Sequence, residues 1–167
     1  LSPSKWKTFW SLRIPLNARS TWNRVLHDKI TTRELLQDRL KDPSHPFCPI
    51  CKSSTETIEH FLFSCPIKPA FWTTAFRLYM PPSINQNSYS NFRKFLLLEQ
   101  PIYCQQHTLF PSLSVPQIFA CMLQQTVWYF HYQHHFHRTP FLPNILLSHL
   151  RKLLLTLDSE EHLDQIL

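Results

Sequence analysis

The chain has 167 residues, a net charge of +6, 43% hydrophobic and 14% aromatic residues, 14 prolines and no glycine. That is enough apolar material for one ordinary domain, or for a compact core with a small metal lobe. Phosphate-cradling and dinucleotide loops need glycine and are excluded, and no apolar run reaches the ~18 residues that span a bilayer, so no membrane segment is expected.

The pattern predicts an all-α fold with proline-punctuated corners. Without glycine, helix ends are expected to use proline, asparagine and serine rather than a left-handed glycine cap. Ser2-Pro3 reads as N-cap and first helical residue; Trp6, Phe9, Trp10 and Arg13 follow at helical spacing and Pro15 stops the run. A second helix over 17–28 carries Ala18, Trp22, Val25 and Leu26 as its apolar stripe, with Arg19, Asn23 and Arg24 facing elsewhere. Thr31-Thr32-Arg33-Glu34 reads as a capping box opening a third helix, with Leu35, Leu36 and Leu40 inward. A loop from Lys41 to Phe47 follows. Glu56 to Cys65 reads as a short amphipathic helix. Pro69 can start the next, with Phe71, Trp72, Ala75, Phe76 and Tyr79 as a wide aromatic face and Pro81-Pro82 as its end. Ser83 to Ser90 is a polar loop, 91–98 a short helix, and 99–111 an irregular stretch carrying Cys104. The longest helical pattern runs over 115–138, built on Ile118, Cys121, Met122, Gln125, Trp128, Tyr129 and Tyr132. Pro140 and Pro143 break it, a leucine-rich helix covers 144–157, and 158–167 is one more turn or a frayed tail. Trp6, Trp10, Trp22 and Trp72 read as packing residues, although base stacking suits the same rings.

Cys48, Cys51, His60 and Cys65 form a C-x2-C-x8-H-x4-C array. Cys48 and Cys51 flank Pro49-Ile50, a compact turn that can place two thiolates on one ion. Zinc takes four tetrahedral S/N ligands, and a set closed by four protein ligands leaves no position for water or substrate. The expected cofactor is therefore one structural Zn2+. Cysteines are also common as small buried hydrophobes, which is the competing reading. An odd cysteine count and the absence of a signal peptide point to a reducing compartment and against disulfides. Three thiolates leave a formal charge of −1 that Lys52 and Lys68 can offset. Backbone N–H groups around Ile50 to Ser53 are expected to donate to the sulfurs. Glu56 and Glu59 are expected to act through the dipole of the short helix rather than as ligands. Without metal, 47–66 is expected to lose its order.

His131, His134, His135 and His137 cluster on the long helix. His131 and His135 stand one turn apart, the spacing of a metal clasp; with no carboxylate near them in sequence, an amphipathic, partly exposed helix is the default. Charge is uneven: residues 1–47 carry nine Lys/Arg against four Asp/Glu, and residues 114–167 three against four. A basic N-terminal third suits a polyanion, and Lys5, Lys7, Arg13, Arg19 and Arg24 are the candidate phosphate contacts. A solvated face is the alternative, as is capping of helix carbonyls by the arginines or their pairing with Asp28 and Glu34. The chain begins with Leu1, as a processed product or a fragment would.

Trp6-Lys7-Thr8-Phe9-Trp10, Ile14-Pro15, Trp22, Arg24, Thr31, Leu35-Leu36, Cys48-x2-Cys51, Glu56-Thr57 with His60, Cys65 and Trp72 follow one another in order. Over residues 5–76 this resembles the zinc-binding domain C-terminal to the reverse transcriptase of non-LTR (LINE-type) retrotransposons. Members often carry a glycine just after the second cysteine, where this chain has Lys52-Ser53-Ser54. The tail from residue 114 is similar to helical extensions that follow such domains. The resemblance implies a zinc-binding domain over 1–80 and a helical extension over 81–167. It also implies a non-catalytic module that holds RNA or DNA by the phosphate backbone, partnered with the reverse transcriptase domain of its polyprotein, intracellular and nuclear. No Tyr/Phe-x-Asp-Asp pair occurs among Asp28, Asp38, Asp42, Asp158 and Asp164, and no clustered carboxylates suit two-metal chemistry. The alternative is an interaction domain that docks on the polymerase without touching nucleic acid, or a decayed retroelement copy.

Overall fold

Eight α-helices and two π-helical turns succeed one another along the described part of the chain: α1 (Pro3–Ser11), α2 (Leu16–Leu26), α3 (Arg33–Leu40), a π turn (His60–Ser64), α4 (Lys68–Tyr79), α5 (Tyr89–Leu96), α6 (Val115–Leu123), a second π turn (Gln124–Tyr129), α7 (Phe130–His137) and α8 (Pro143–Ile166). The computed structural model describes residues 1–41, 45–81, 88–99 and 109–167, without the Trp128 side chain. Cys104 and its stretch, most of the 83–90 loop, Pro82 and part of the loop after Lys41 lie outside the described residues. No strand forms among the described residues; a single antiparallel bridge joins Phe47 to Thr55.

The N-terminal helices form for the local reasons expected. The Ser2 hydroxyl accepts from the Lys5 N–H with Pro3 in the first turn, and α2 buries Ala18, Thr21, Trp22 and Val25. The cap of α3 differs. Thr32, not Thr31, is the N-cap: its hydroxyl accepts from the Leu35 N–H at 3.2 Å. The next open donor, the Arg33 N–H, goes to the carboxylate of Glu56 at 2.8 Å. A carboxylate 23 positions away thus helps to cap α3. Leu35 and Leu36 are half-buried, while Leu40 is 67% exposed rather than inward.

Helix ends depart from expectation for a physical reason. The 6→1 and 5→2 hydrogen bonds that close a helix need a left-handed residue, and this chain supplies it without glycine. Asp28 (φ 51°), Lys41 (φ 48°), Leu98 (φ 52°) and Arg138 (φ 54°) sit at the ends of α2, α3, α5 and α7. After α2, Lys29 N–H reaches the Arg24 carbonyl at 2.8 Å and Asp28 N–H the Val25 carbonyl at 3.2 Å; Glu99 and Leu98 repeat the pattern after α5.

The core is built around α6, every residue of which is buried. Phe119 is its hub, with the ring of Trp22 edge-on at 5.4 Å, Phe95 stacked at 5.4 Å and Phe92 edge-on at 5.5 Å. The indole N–H groups of Trp22 and Trp72 donate to the Leu96 and Leu62 carbonyls, both at 3.0 Å, so burying these rings strands no polar group. Trp10, expected to pack, is instead 56% exposed. Helix α8 lays Leu146, Leu150, Leu154 and Leu157 inward and runs on to Ile166, so 158–166 continues the helix rather than fraying. Buried side chains from both halves of the chain, Trp22 and Trp72 as well as Phe119 and Leu150, belong to one hydrophobic cluster.

The long helix over 115–137 is not uniform. Its middle, Gln124–Tyr129, is a π turn. The wider turn breaks the 3.6-residue period, so the apolar stripe slips. Phe130 and His131 are buried, whereas Tyr129, expected in the stripe, is 46% exposed and Tyr132 half-buried.

Candidate metal centre

The knuckle from Pro46 to Thr57 is held by its own backbone. Cys48 N–H donates to the Ser54 carbonyl at 2.9 Å, Lys52 N–H to the Cys48 carbonyl at 2.8 Å, and Glu56 N–H to the Pro46 carbonyl at 2.9 Å. Lys52 turns the corner at φ 58°, a left-handed conformation that costs a side-chain-bearing residue about 1–2 kcal/mol. A glycine at that position would adopt it freely.

His60 and Cys65 come together because the helix between them is a π turn. In an α-helix, positions five apart point about 140° away from each other. Here the Cys65 N–H bonds the His60 carbonyl at 3.1 Å, an i→i+5 closure that brings the two ends to one side. The Thr57 hydroxyl accepts from the His60 N–H at 3.1 Å and fixes the start of the turn.

One ligand atom from each of Cys48, Cys51, His60 and Cys65 lies within 4.8 Å of the other three. The Cys48 and Cys65 sulfurs are 4.0 Å apart, and the Cys51 sulfur is 3.3 Å from His60 Nε2. Thiolates on one tetrahedral zinc, each ~2.3 Å from it, stand roughly 3.8 Å apart, so the sulfur spacing suits that ion. Nε2 is thus the His60 nitrogen that faces a cysteine sulfur of the quartet. Burial first, then Lys68, lowers the His60 pKa, which keeps the ring in its neutral, ligating form. In the metal-free chain the hydrogen bond to Cys65 and then burial push the Cys48 thiol up, and the same hydrogen bond holds Cys65 down. Zinc must therefore displace a proton. The backbone N–H groups of Cys51 and Ile50 bond the Cys48 sulfur, as expected, and that of Ile67 the Cys65 sulfur.

Lys68 is fully buried, and burial lowers its pKa to about 8 against the pull of Cys65, Cys48 and Glu56. It donates to the Phe61 carbonyl and lies 3.1 Å from His131 Nδ1. The other nitrogen of His131 is 3.0 Å from the second oxygen of Glu56. Glu56, expected to act through the dipole of the short helix, is buried against α3 and His131 instead, and burial raises its pKa. Lys68, His131 and Glu56 thus stand side by side in one buried polar chain from the metal centre into α7.

That chain also answers the α7 histidines. His134 contacts the Thr139 carbonyl at 2.8 Å and the Pro49 carbonyl at 3.2 Å, and His135 stands 3.2 Å from the Arg33 guanidinium. Three of the four histidines dock α7 on the knuckle and α3. Among the described residues, the Cys48–Cys51–His60–Cys65 quartet is the only group spaced to hold an ion. His131 does have a carboxylate partner, contributed by a segment 75 residues earlier, which no local spacing reveals.

The candidate phosphate contacts do not share one face. Arg19 bonds the Phe9 carbonyl at 2.9 Å, the Trp10 carbonyl at 3.3 Å and the Leu12 carbonyl, capping α1. Arg13 pairs with Glu161, at 3.8 Å, and with Asp164 of α8. The basic start of the chain thus meets its acidic end. Lys5 is half-buried, Lys7 exposed, and Arg24 exposed beside the α7 groove.

No curated protein and no solved structure matches the chain. Residues 2–72 match the family described as zinc-binding in reverse transcriptase. The quartet lies inside that span, so residues 2–72 resemble a zinc-binding domain associated with reverse transcriptase, and the cofactor is a single structural zinc.

Proposed function

We propose that this chain is a non-catalytic, nucleic-acid-binding module of a non-LTR retrotransposon reverse transcriptase, acting in the nucleus. The observation that carries the reading is the closed donor set in a basic chain. Four protein ligands surround the ion site and leave no coordination position for a reacting water, while the chain carries a net charge of +6. The metal then orders a surface rather than performing a reaction, and phosphates are the natural complement of that surface. Lys5, Lys7, Arg13, Arg19 and Arg24 are the phosphate contacts of this reading, Arg13 and Arg19 also bonding within the fold. The reverse transcriptase domain is the covalent partner that this domain type accompanies.

A filter-binding titration of the zinc-loaded chain against RNA and DNA over a range of salt tests the reading. Affinity that falls steeply with salt, by about 0.7 log unit per log unit of salt for each phosphate neutralised on a single strand, is the expected result. Absence of binding at low salt would replace it with a domain that docks on the polymerase alone.

A further inference from the structure

We infer that single-stranded nucleic acid binds in the groove between α2, the start of α3 and α7, its bases stacked on Tyr129 and Phe136 and its phosphates against Arg24 and Arg33. This rests on the nucleic-acid reading above and moves its main surface away from α1.

The groove has a volume of ≈570 Å³ and is lined by Asn17, Arg24, Arg33, Tyr129, Tyr132 and Phe136 among others. Most phenylalanines of the described residues are buried, yet Phe136 is 69% exposed. Its ring lies nearly parallel to Tyr132, 24° off at 6.1 Å, so its outer face is the open end of a two-ring stack. A nucleobase would extend that stack. Tyr129 reaches the groove because the π turn swings it out of the core.

The charge is one-sided. Among the described residues the sole carboxylate lining the groove is Glu56, which is buried, bonded to the Arg33 N–H and 3.0 Å from His131. Arg33 and Pro49 also line a second depression, which continues to His45, Phe47 and Lys52 over the zinc knuckle. Phe47 is 45% exposed and stacks on His45 at 6.0 Å. From α7 to the knuckle the surface therefore alternates rings and cations. An aliphatic helix from a partner protein would call for a continuous apolar trough. A single strand alternates flat bases with charged phosphates and matches this order. Zinc bound by the quartet would brace the knuckle end of the track.

The test measures anisotropy of labelled oligo(dT) and oligo(U) of about 12 nucleotides, within the usual footprint of such sites. It includes a hairpin duplex and an abasic strand of equal charge. Phe136→Ala and Tyr129→Ala alter exposed rings, and zinc content and circular dichroism confirm their folds. The expected result is preference for single strands over duplex, a loss of about tenfold for each ring variant, and a larger loss, of up to about a hundredfold, with the abasic strand, which removes both stacks. Lys5→Ala with Lys7→Ala should have a smaller effect. Wild-type binding left unchanged by the ring variants and by base removal overturns the groove while leaving the nucleic-acid reading intact. Failure of the wild type to bind any strand removes both. Ring variants that bind oligonucleotides normally but lose the reverse transcriptase domain in a pull-down make the groove a protein interface and likewise overturn the inference.

Discussion

His131 is the residue whose neighbours say most about how this protein is held together. It is buried between Lys68 and Glu56, and burial, followed by Lys68, His135, His134 and His60, lowers its pKa well below 6.5. Lys68 stands 3.1 Å from Nδ1 and the Glu56 carboxylate 3.0 Å from Nε2, so the ring lies between a cation and an acid. Below about pH 6.5 the unfolded chain takes up a proton on this ring and the folded chain does not, so stability is lost as pH falls. Glu56, raised by burial above 4.5, works in the opposite sense. Replacing His131 by glutamine should remove the histidine's contribution. Between about pH 7.5 and about pH 5.5, at saturating zinc, wild type should lose about 1 kcal/mol more than the variant, read from urea midpoints. Parallel pH profiles for the two proteins would contradict the assignment. The sequence displayed His131 as one of four histidines; the charge that makes it matter comes from elements distant in the chain.

Local geometry, at the scale of the element, decides the metal site. The C-x2-C turn and the H-x4-C segment were legible from spacing, yet an ordinary α-helix would have turned His60 and Cys65 apart. The π turn resolves this, and nothing in the residue pattern of 56–65 announces it. The second π turn similarly moves Tyr129 outward and His131 inward. Helix ends taught the opposite lesson: without glycine the chain still uses left-handed closures and accepts their strain at Asp28, Lys41, Leu98 and Arg138. Lys52 is the same case within the knuckle. Lys52→Gly should relieve that conformation and raise the zinc-loaded stability by up to about 1 kcal/mol, with the metal content still one per chain. A loss of stability measured in denaturant would show that the lysine side chain offsets the thiolate charge strongly enough to outweigh the strain.

Across the whole molecule, the family-matched span and the helices after it share one core. Trp22 and Trp72 pack on Phe119, α4 lies against α8, and Glu56 and Lys68 meet His131. Residues 1–80 alone would expose these rings and leave two buried charges without their partner. Such a fragment should bind zinc at its knuckle but lack a cooperative unfolding transition and bind a hydrophobic dye, whereas the full chain should unfold in one step. A sharp transition for the fragment would make the two spans separate domains. The sequence by itself determined the helical class, the four zinc ligands and the family resemblance, because each is written in spacing within a short segment. Only the tertiary structure decided which charges are buried, which arginines are already engaged and which rings face solvent. Those outcomes depend on the docking of α7 against the zinc knuckle and of α8 against α4 and α6, and contacts between residues many positions apart leave no periodic trace in the chain.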